Sequence, residues 1–166
     1  VALRFFNVYG PRQALSNPYT GVAAIFSARL LNDRPPVIYE DGRQTRDFVH
    51  VRDVVRACRL ALEGDGADYE AVNVGTGRPV SVLEVARILA RALGRPLKAE
   101  IPGRYRAGDI RHCYADITKA RRRLGYEPEI SFEAGMAELA AWVATQAAPD
   151  RWAEAAAELE RRGLTR

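Results

Sequence analysis

Residues 3–13 read LRFFNVYGPRQ, an apolar run that ends in Asn7, Tyr9, Gly10, Pro11 and Arg12. The composition of residues 2–8 (ALRFFNV) predicts a buried strand, and Gly10-Pro11 breaks it because proline lacks an amide donor and fixes its own backbone. A strand this apolar belongs inside a parallel sheet with neighbours on both sides. Those neighbours are not evident in the residues that follow it.

Further along, residues 13–20 (QALSNPYT) are polar and turn-forming. Val22, Ile25, Phe26, Leu30 and Leu31 then recur at helical spacing as far as Asn32 and the Pro35-Pro36 pair. PVIYE at 36–40 and RDFVHV at 46–51 predict two short strands joined through Glu40-Asp41-Gly42-Arg43 as a hairpin or tight loop. A helix follows, with Asp53 near its start, Val54, Ala57, Cys58, Ala61 and Leu62 on one face, and Gly64 as its stop. AVNVG at 71–75 predicts another strand, and Ser81-Val82-Leu83-Glu84 is a capping box for a helix that Gly94 closes. The remaining pattern is a short strand over 98–102, a polar loop over 103–116, a basic helix over 117–124 and a helix over 131–146. Phe132, Met136, Leu139 and Val143 form the inner stripe of that last helix, and an alanine-rich helix over 150–162 is expected at an edge. Strands alternating with helices are the signature of an α/β fold.

The 166 residues are 48% hydrophobic, enough for one core of ordinary size and hence one compact unit. There is no apolar run of membrane-spanning length and no secretory leader pattern, so the sequence predicts neither a membrane span nor secretion. Cys58 and Cys113 lie far apart and outside CxxC spacing, which argues against a disulfide framework or zinc knuckle and fits the cytoplasm. The net charge of +4 is carried almost wholly by arginine, since Lys98 and Lys119 are the only lysines. Arginine presents a planar fork of donors that suits phosphate. A nucleic-acid surface would need a clustered basic face with interleaved aromatics, and only Arg121–Arg123 cluster, so no nucleic-acid partner is expected.

Gly75-Thr76-Gly77 sits between a strand and a helix, yet the third glycine of a dinucleotide fingerprint is replaced by Val80. The turn is therefore read as a close approach of backbone to another part of the protein or to a ligand. His50 reads as a hydrogen-bonded core residue, and His50 and His112 lack the further ligands that a metal site needs. Nothing marks an activated nucleophile. Arg12, Arg46 and Arg106 each stand at a junction of loop and strand, where a side chain is held firmly yet reaches a cleft. From chemistry alone, they either converge on a diphosphate or pair with nearby acids such as Asp47 and Asp109.

LRFFNVYGPRQ, PPVIYEDGRQTRDFVHVRDV, NVGTG followed by SVLEVA, and RAGDIRHCYADITKARRRLGYEP stand in the order in which they recur in extended short-chain dehydrogenases of the NAD-dependent epimerase/dehydratase family. The resemblance covers residues 1 to about 146 and is to the carboxy-terminal half of such enzymes, with the dTDP-L-rhamnose 4-epimerase and UDP-glucose 4-epimerase groups the most similar. It implies an α/β chain that forms the carboxy-terminal part of a Rossmann-like fold. Residues 1–10 would end the Rossmann domain, 11–146 would form the small substrate-binding part and 147–166 a carboxy-terminal helix.

By the same resemblance Phe6 would lie beside the nicotinamide end of NAD, touching it largely through its backbone. Asn7 would donate to the sugar-phosphate region of the substrate, Tyr39 would pack on a pyrimidine base, and Arg46 and Arg106 would clamp the diphosphate. Asp109 would accept from the ribose hydroxyls, and residues 17–22 would also face the nucleotide sugar.

The family's catalytic Tyr-x-x-x-Lys pair has no counterpart here. Four positions after each of the seven tyrosines stand Gln13, Ala23, Arg43, Asn73, Asp109, Thr118 and Ile130. The resemblance therefore implies a substrate-binding half that is inactive alone, with the glycine-rich NAD loop and the proton-moving residues in a missing amino-terminal half. The complete enzyme is expected to be a cytoplasmic homodimer acting on a dTDP- or UDP-hexose at C4. The alternatives are the corresponding half of a 4,6-dehydratase or uronate decarboxylase, and a noncatalytic nucleotide-sugar-binding protein.

Overall fold

The computed structural model describes residues 1–15, 21–147 and 149–165. The predicted strand over 2–8 is divided in two, β1 (Ala2–Phe5) and β2 (Asn7–Tyr9), and each piece finds its own partner. β1 pairs in parallel with β4 (Ala71–Val74), and β2 pairs in parallel with β3 (Thr45–His50). The neighbours absent from the local sequence thus come from some 40 to 70 residues away. Among the described residues each piece gains a neighbour on one side only, and Phe5 and Val8 remain 48% and 37% exposed.

β3 organises the second sheet. Its first half pairs antiparallel with β5 (Pro79–Ser81) and parallel with β6 (His112–Cys113), and its second half takes β2. The polar loop predicted over 103–116 therefore contains a two-residue strand. Of the two connections expected over 40–43, the structure has the tight loop and not the hairpin, and 36–40 is not a strand. Residues 36–40 run instead beside 100–104, with a bridge between Val37 and Glu100 and hydrogen bonds from the amides of Ile38 and Glu40 to the carbonyls of Glu100 and Arg104. Glu40 and Gly42 both adopt left-handed backbone, and the chain swings away from β3 instead of folding back along it. The strand expected over 98–102 is reduced to this bridge.

The helices are α1 (Val22–Leu31), α2 (Val51–Glu63), α3 (Val82–Ala92), α4 (Thr118–Leu124), α5 (Phe132–Val143) and α6 (Trp152–Arg161). The Ser81 hydroxyl accepts from the Glu84 amide at the start of α3, and the Ser131 hydroxyl accepts from the Ala134 amide at the start of α5. In α2, Val54 and Ala57 are buried with Asp53, whereas Cys58 and Leu62 face outward, Leu62 at 87% exposure. The expected apolar face is thus rotated, because Asp53 is needed inside, where its carboxylate accepts from the Glu129 and Ile130 amides.

Successive residues of β3 feed two apolar clusters. Phe48 packs with Tyr9, Leu89 and the Phe132, Met136, Leu139 and Val143 stripe of α5, while Val49 packs with Val72, Val74, Ile117 and Tyr126. Burial of each such side chain contributes about 1.5–3 kcal/mol. Tyr9 fixes the relation of β2 to α5. Its hydroxyl donates to the Phe132 carbonyl at 3.5 Å, and a Cβ at position 135 would stand 2.2 Å from that hydroxyl, so Gly135 is the residue α5 can place there. No helix among the described residues is long and apolar enough to cross a membrane.

Candidate nucleotide-binding site

The site is built from the amino-terminal half of β3 outward. Asp47 is fully buried and its carboxylate gathers the Gly75-Thr76-Gly77 turn. One oxygen accepts from the Thr76 amide (2.8 Å) and hydroxyl (2.7 Å), the other from the amides of Gly77 (2.8 Å) and Ala115 (3.1 Å). A Cβ at position 75 would lie 2.6 Å from this carboxylate and 2.7 Å from the Ala115 side chain. The turn is thus the close backbone approach expected of it, and these donors already have their acceptor within the protein.

With Asp47 directed inward, its neighbour Arg46 points the other way. The Arg46 guanidinium donates to the carbonyls of Thr45 (2.8 Å) and Arg111 (3.1 Å) and to the Asp109 carboxylate (2.8 Å), leaving its side chain 17% exposed. Of the two acids open to pairing with an arginine, Asp109 takes that role and Asp47 does not. Arg106 makes no ion pair among the described residues. Its guanidinium lies 6.0 Å from the centre of the Tyr39 ring, and Tyr39 is fixed through its carbonyl, which accepts from the buried Gln44 side chain at 2.9 Å.

Asn7, Tyr39, Arg46, Arg106 and Asp109 all line one cavity of about 440 Å³. Its apolar walls come from Val22, Ile25 and Phe26 of α1 and from one side of α6. Phe6 lies outside it, in the wall of an adjoining open cleft of about 760 Å³ with Arg4, Asn73 and Cys113. Asn7, Arg46 and Asp109 line both spaces and form the partition between them. Tyr39 and Arg106 therefore lie on one side of this polar seam and Phe6 on the other, with Asn7, Arg46 and Asp109 in the seam itself. Arg12 is exposed, on left-handed backbone, and is not among the lining residues. Residues 17–20 lie outside the described residues, while Gly21 and Val22 line the cavity.

Three features were not legible as parts of the site. The tie from Gln44 to Tyr39 and the central place of Asp47 depend on contacts made across 5 and about 30 residues. The wall contributed by α6 had only a weak signal, since an alanine-rich helix has no strong stripe to mark its inner face. His50 is the core residue expected. Its Nδ1 accepts from the Arg52 amide at the start of α2, and burial pushes the imidazole pKa down. Asp41, the neighbour in sequence of the cavity-lining Glu40, is held down at about 2 chiefly by its hydrogen bond from Arg111.

A family model described as GDP-mannose 4,6 dehydratase matches residues 1–139. Among curated proteins, a dTDP-L-rhamnose 4-epimerase of Burkholderia thailandensis is 40% identical over 145 residues, covering 87% of this chain and 39% of that protein. Among solved structures, the UDP-glucose 4-epimerase of Thermotoga maritima with UDP-glucose is 40% identical with a TM-score of 0.77, over 84% of this chain and 44% of that one. The UDP-glucuronic acid 4-epimerase of Bacillus cereus, in complex with UDP-glucuronic acid and NAD, is 30% identical with a TM-score of 0.74, over 86% of this chain and 44% of that one. The chain thus spans about two fifths of the length of the relatives it matches.

Proposed function

The chain belongs to the GDP-mannose 4,6-dehydratase family, whose fold is that of NAD-dependent nucleotide-sugar epimerases, and on that premise we propose that it is the substrate-binding part of a nucleotide-sugar 4-epimerase. The observation that carries this reading is the convergence of Asn7, Tyr39, Arg46, Arg106 and Asp109, drawn from three separate stretches of sequence, on one cavity.

In this reading Tyr39 and the apolar walls receive a pyrimidine base, Asp109 accepts from the ribose hydroxyls and Arg46 and Arg106 fork onto the diphosphate. Each charge-assisted hydrogen bond of that kind is worth about 1.5–3 kcal/mol before desolvation. Asn7 donates at the seam, where the sugar meets the cleft that holds Phe6. Phe6, half-buried in the wall of that cleft, would lie beside the nicotinamide end of NAD and touch it largely through its backbone, and the nicotinamide would supply a hydride acceptor and donor for C4 of the sugar. The chain's own residues hold the nucleotide, a remote group that does not react, while the sugar end turns. Removal and return of the 4-hydroxyl proton fall to a Tyr-x-x-x-Lys pair that these 166 residues do not contain. The division into residues 1–10, 11–146 and 147–166, and a homodimeric cytoplasmic enzyme, are part of the same proposal.

The description of the matching family supports a second reading, a 4,6-dehydratase. Both use the same nucleotide grip, and an Asp-Glu pair beside the catalytic Ser or Thr, outside this chain, would mark the dehydratase.

Calorimetric titration with UDP and dTDP tests the grip. Arg46→Ala and Arg106→Ala are each expected to weaken binding by about tenfold or more. Wild-type affinity in both variants would remove the proposed clamp.

A further inference from the structure

The match to the family model covers residues 1–139, and α6 begins at Trp152. Yet Trp152, Ala155, Ala156 and Leu159 line the same cavity as Tyr39 and Arg106. α6 contributes no residue to either apolar cluster, although Ala155 is only 8% exposed. The inner face of this helix is thus spent on the cavity and not on the core.

Both ends of the segment are fastened to walls of that cavity. At its start Asp150, whose side chain is 5% exposed, pairs with Arg29 of α1 at 3.4 Å and with Arg34 at 3.1 Å, and also accepts from the Trp152 amide. The Arg29 guanidinium lies 4.7 Å from the centre of the Trp152 ring. At the far end Glu160 pairs with Arg104 at 2.7 Å, the Ala107 amide donates to the Leu164 carbonyl at 2.7 Å, and Arg106 forms an antiparallel bridge with Thr165. The loop that presents Arg106 is therefore held from one side by residues 36–40 and from the other by the residues that follow α6.

We infer that residues 150–165 are a specificity element of the nucleotide site: α6 is the wall against which the base end of the ligand rests, and the residues after it position Arg106. This inference rests on the proposed nucleotide-sugar reading of the cavity. The side chains at 155 and 156 set the room at the apolar end. Two alanines there leave space that a larger residue would take.

The test separates the base end from the phosphate end by titrating the purified chain with UDP and with inorganic pyrophosphate. Ala156→Trp is expected to weaken UDP by about tenfold while leaving pyrophosphate within about twofold of wild type. A chain ending at Pro149, its fold checked by circular dichroism, is expected to bind UDP about tenfold more weakly, and in that background Arg106→Ala should cost less than about twofold, because the two changes remove one shared effect. UDP binding by Ala156→Trp at wild-type strength would overturn the wall, and a full Arg106→Ala effect in the shortened chain would overturn the positioning role. Binding of neither probe to the wild type would instead overturn the nucleotide reading, and this inference with it.

Discussion

Asp47 is the residue on which the site's geometry turns. Its carboxylate satisfies donors from two segments, the 75–77 turn and Ala115, that share no other acceptor, and its direction fixes that of Arg46. Asp47→Ala is expected to lower stability by about 3–5 kcal/mol in urea unfolding, since each buried donor left unpaired costs about 1–3 kcal/mol less whatever water recovers. Asp47→Asn should do nearly as badly, because one end of the amide would then present N–H groups to other N–H groups. His50 gives a pH dependence of definite sign. Burial holds its imidazole below the ordinary 6.5, so on acidification the unfolded chain takes up the proton first, and stability falls as pH drops through about 6.5 towards the depressed folded value. Protonation also removes the Nδ1 acceptor that caps α2. His50→Asn, which keeps an acceptor and cannot titrate, should flatten the slope of stability between about pH 7 and 5 in a urea series.

At the scale of elements, the helices were read well because their signals are local. Ser81 and Ser131 stand where a cap must stand, and each accepts the amide three residues on. Ser81→Ala and Ser131→Ala are expected to cost about 1 kcal/mol each, with the two costs adding in the double variant, as measured by thermal unfolding. Strands were read less well, because pairing is decided by remote partners. The hairpin over 36–51 was suggested by a Glu-Asp-Gly-Arg turn, but residues 36–40 find their hydrogen bonds at 100–104. The two-residue strand β6 carries no pattern of its own and exists because the edge of β3 at Thr45 and Arg46 is available to it. In α2 the charge at Asp53 overrode the apolar period, since a carboxylate with two backbone amides to accept from belongs inside.

For the whole molecule, the α/β class and the family were legible in the order of four motifs. The convergence of Asn7, Tyr39, Arg46, Arg106 and Asp109 was expected from the resemblance and not from spacing, because no periodicity links positions so far apart. The proposed reaction requires a Tyr-x-x-x-Lys pair that these residues do not contain, so the purified chain is expected to show no turnover of UDP-glucose or dTDP-L-rhamnose with NAD present. Detectable epimerisation by chromatography of the products would contradict that division of labour. One feature of the architecture also bears on how the chain acquires it. Tyr9 completes its surroundings only with Phe132 and Gly135, 123 residues and more along the chain. Closing a loop of that length is slow relative to forming any of the helices. During synthesis β2 can pair with β3 and set Tyr9 against Phe48 and His50, but the side of the ring that meets α5 stays uncovered until α5 has left the ribosome, an interval in which the nascent chain is open to capture by a chaperone.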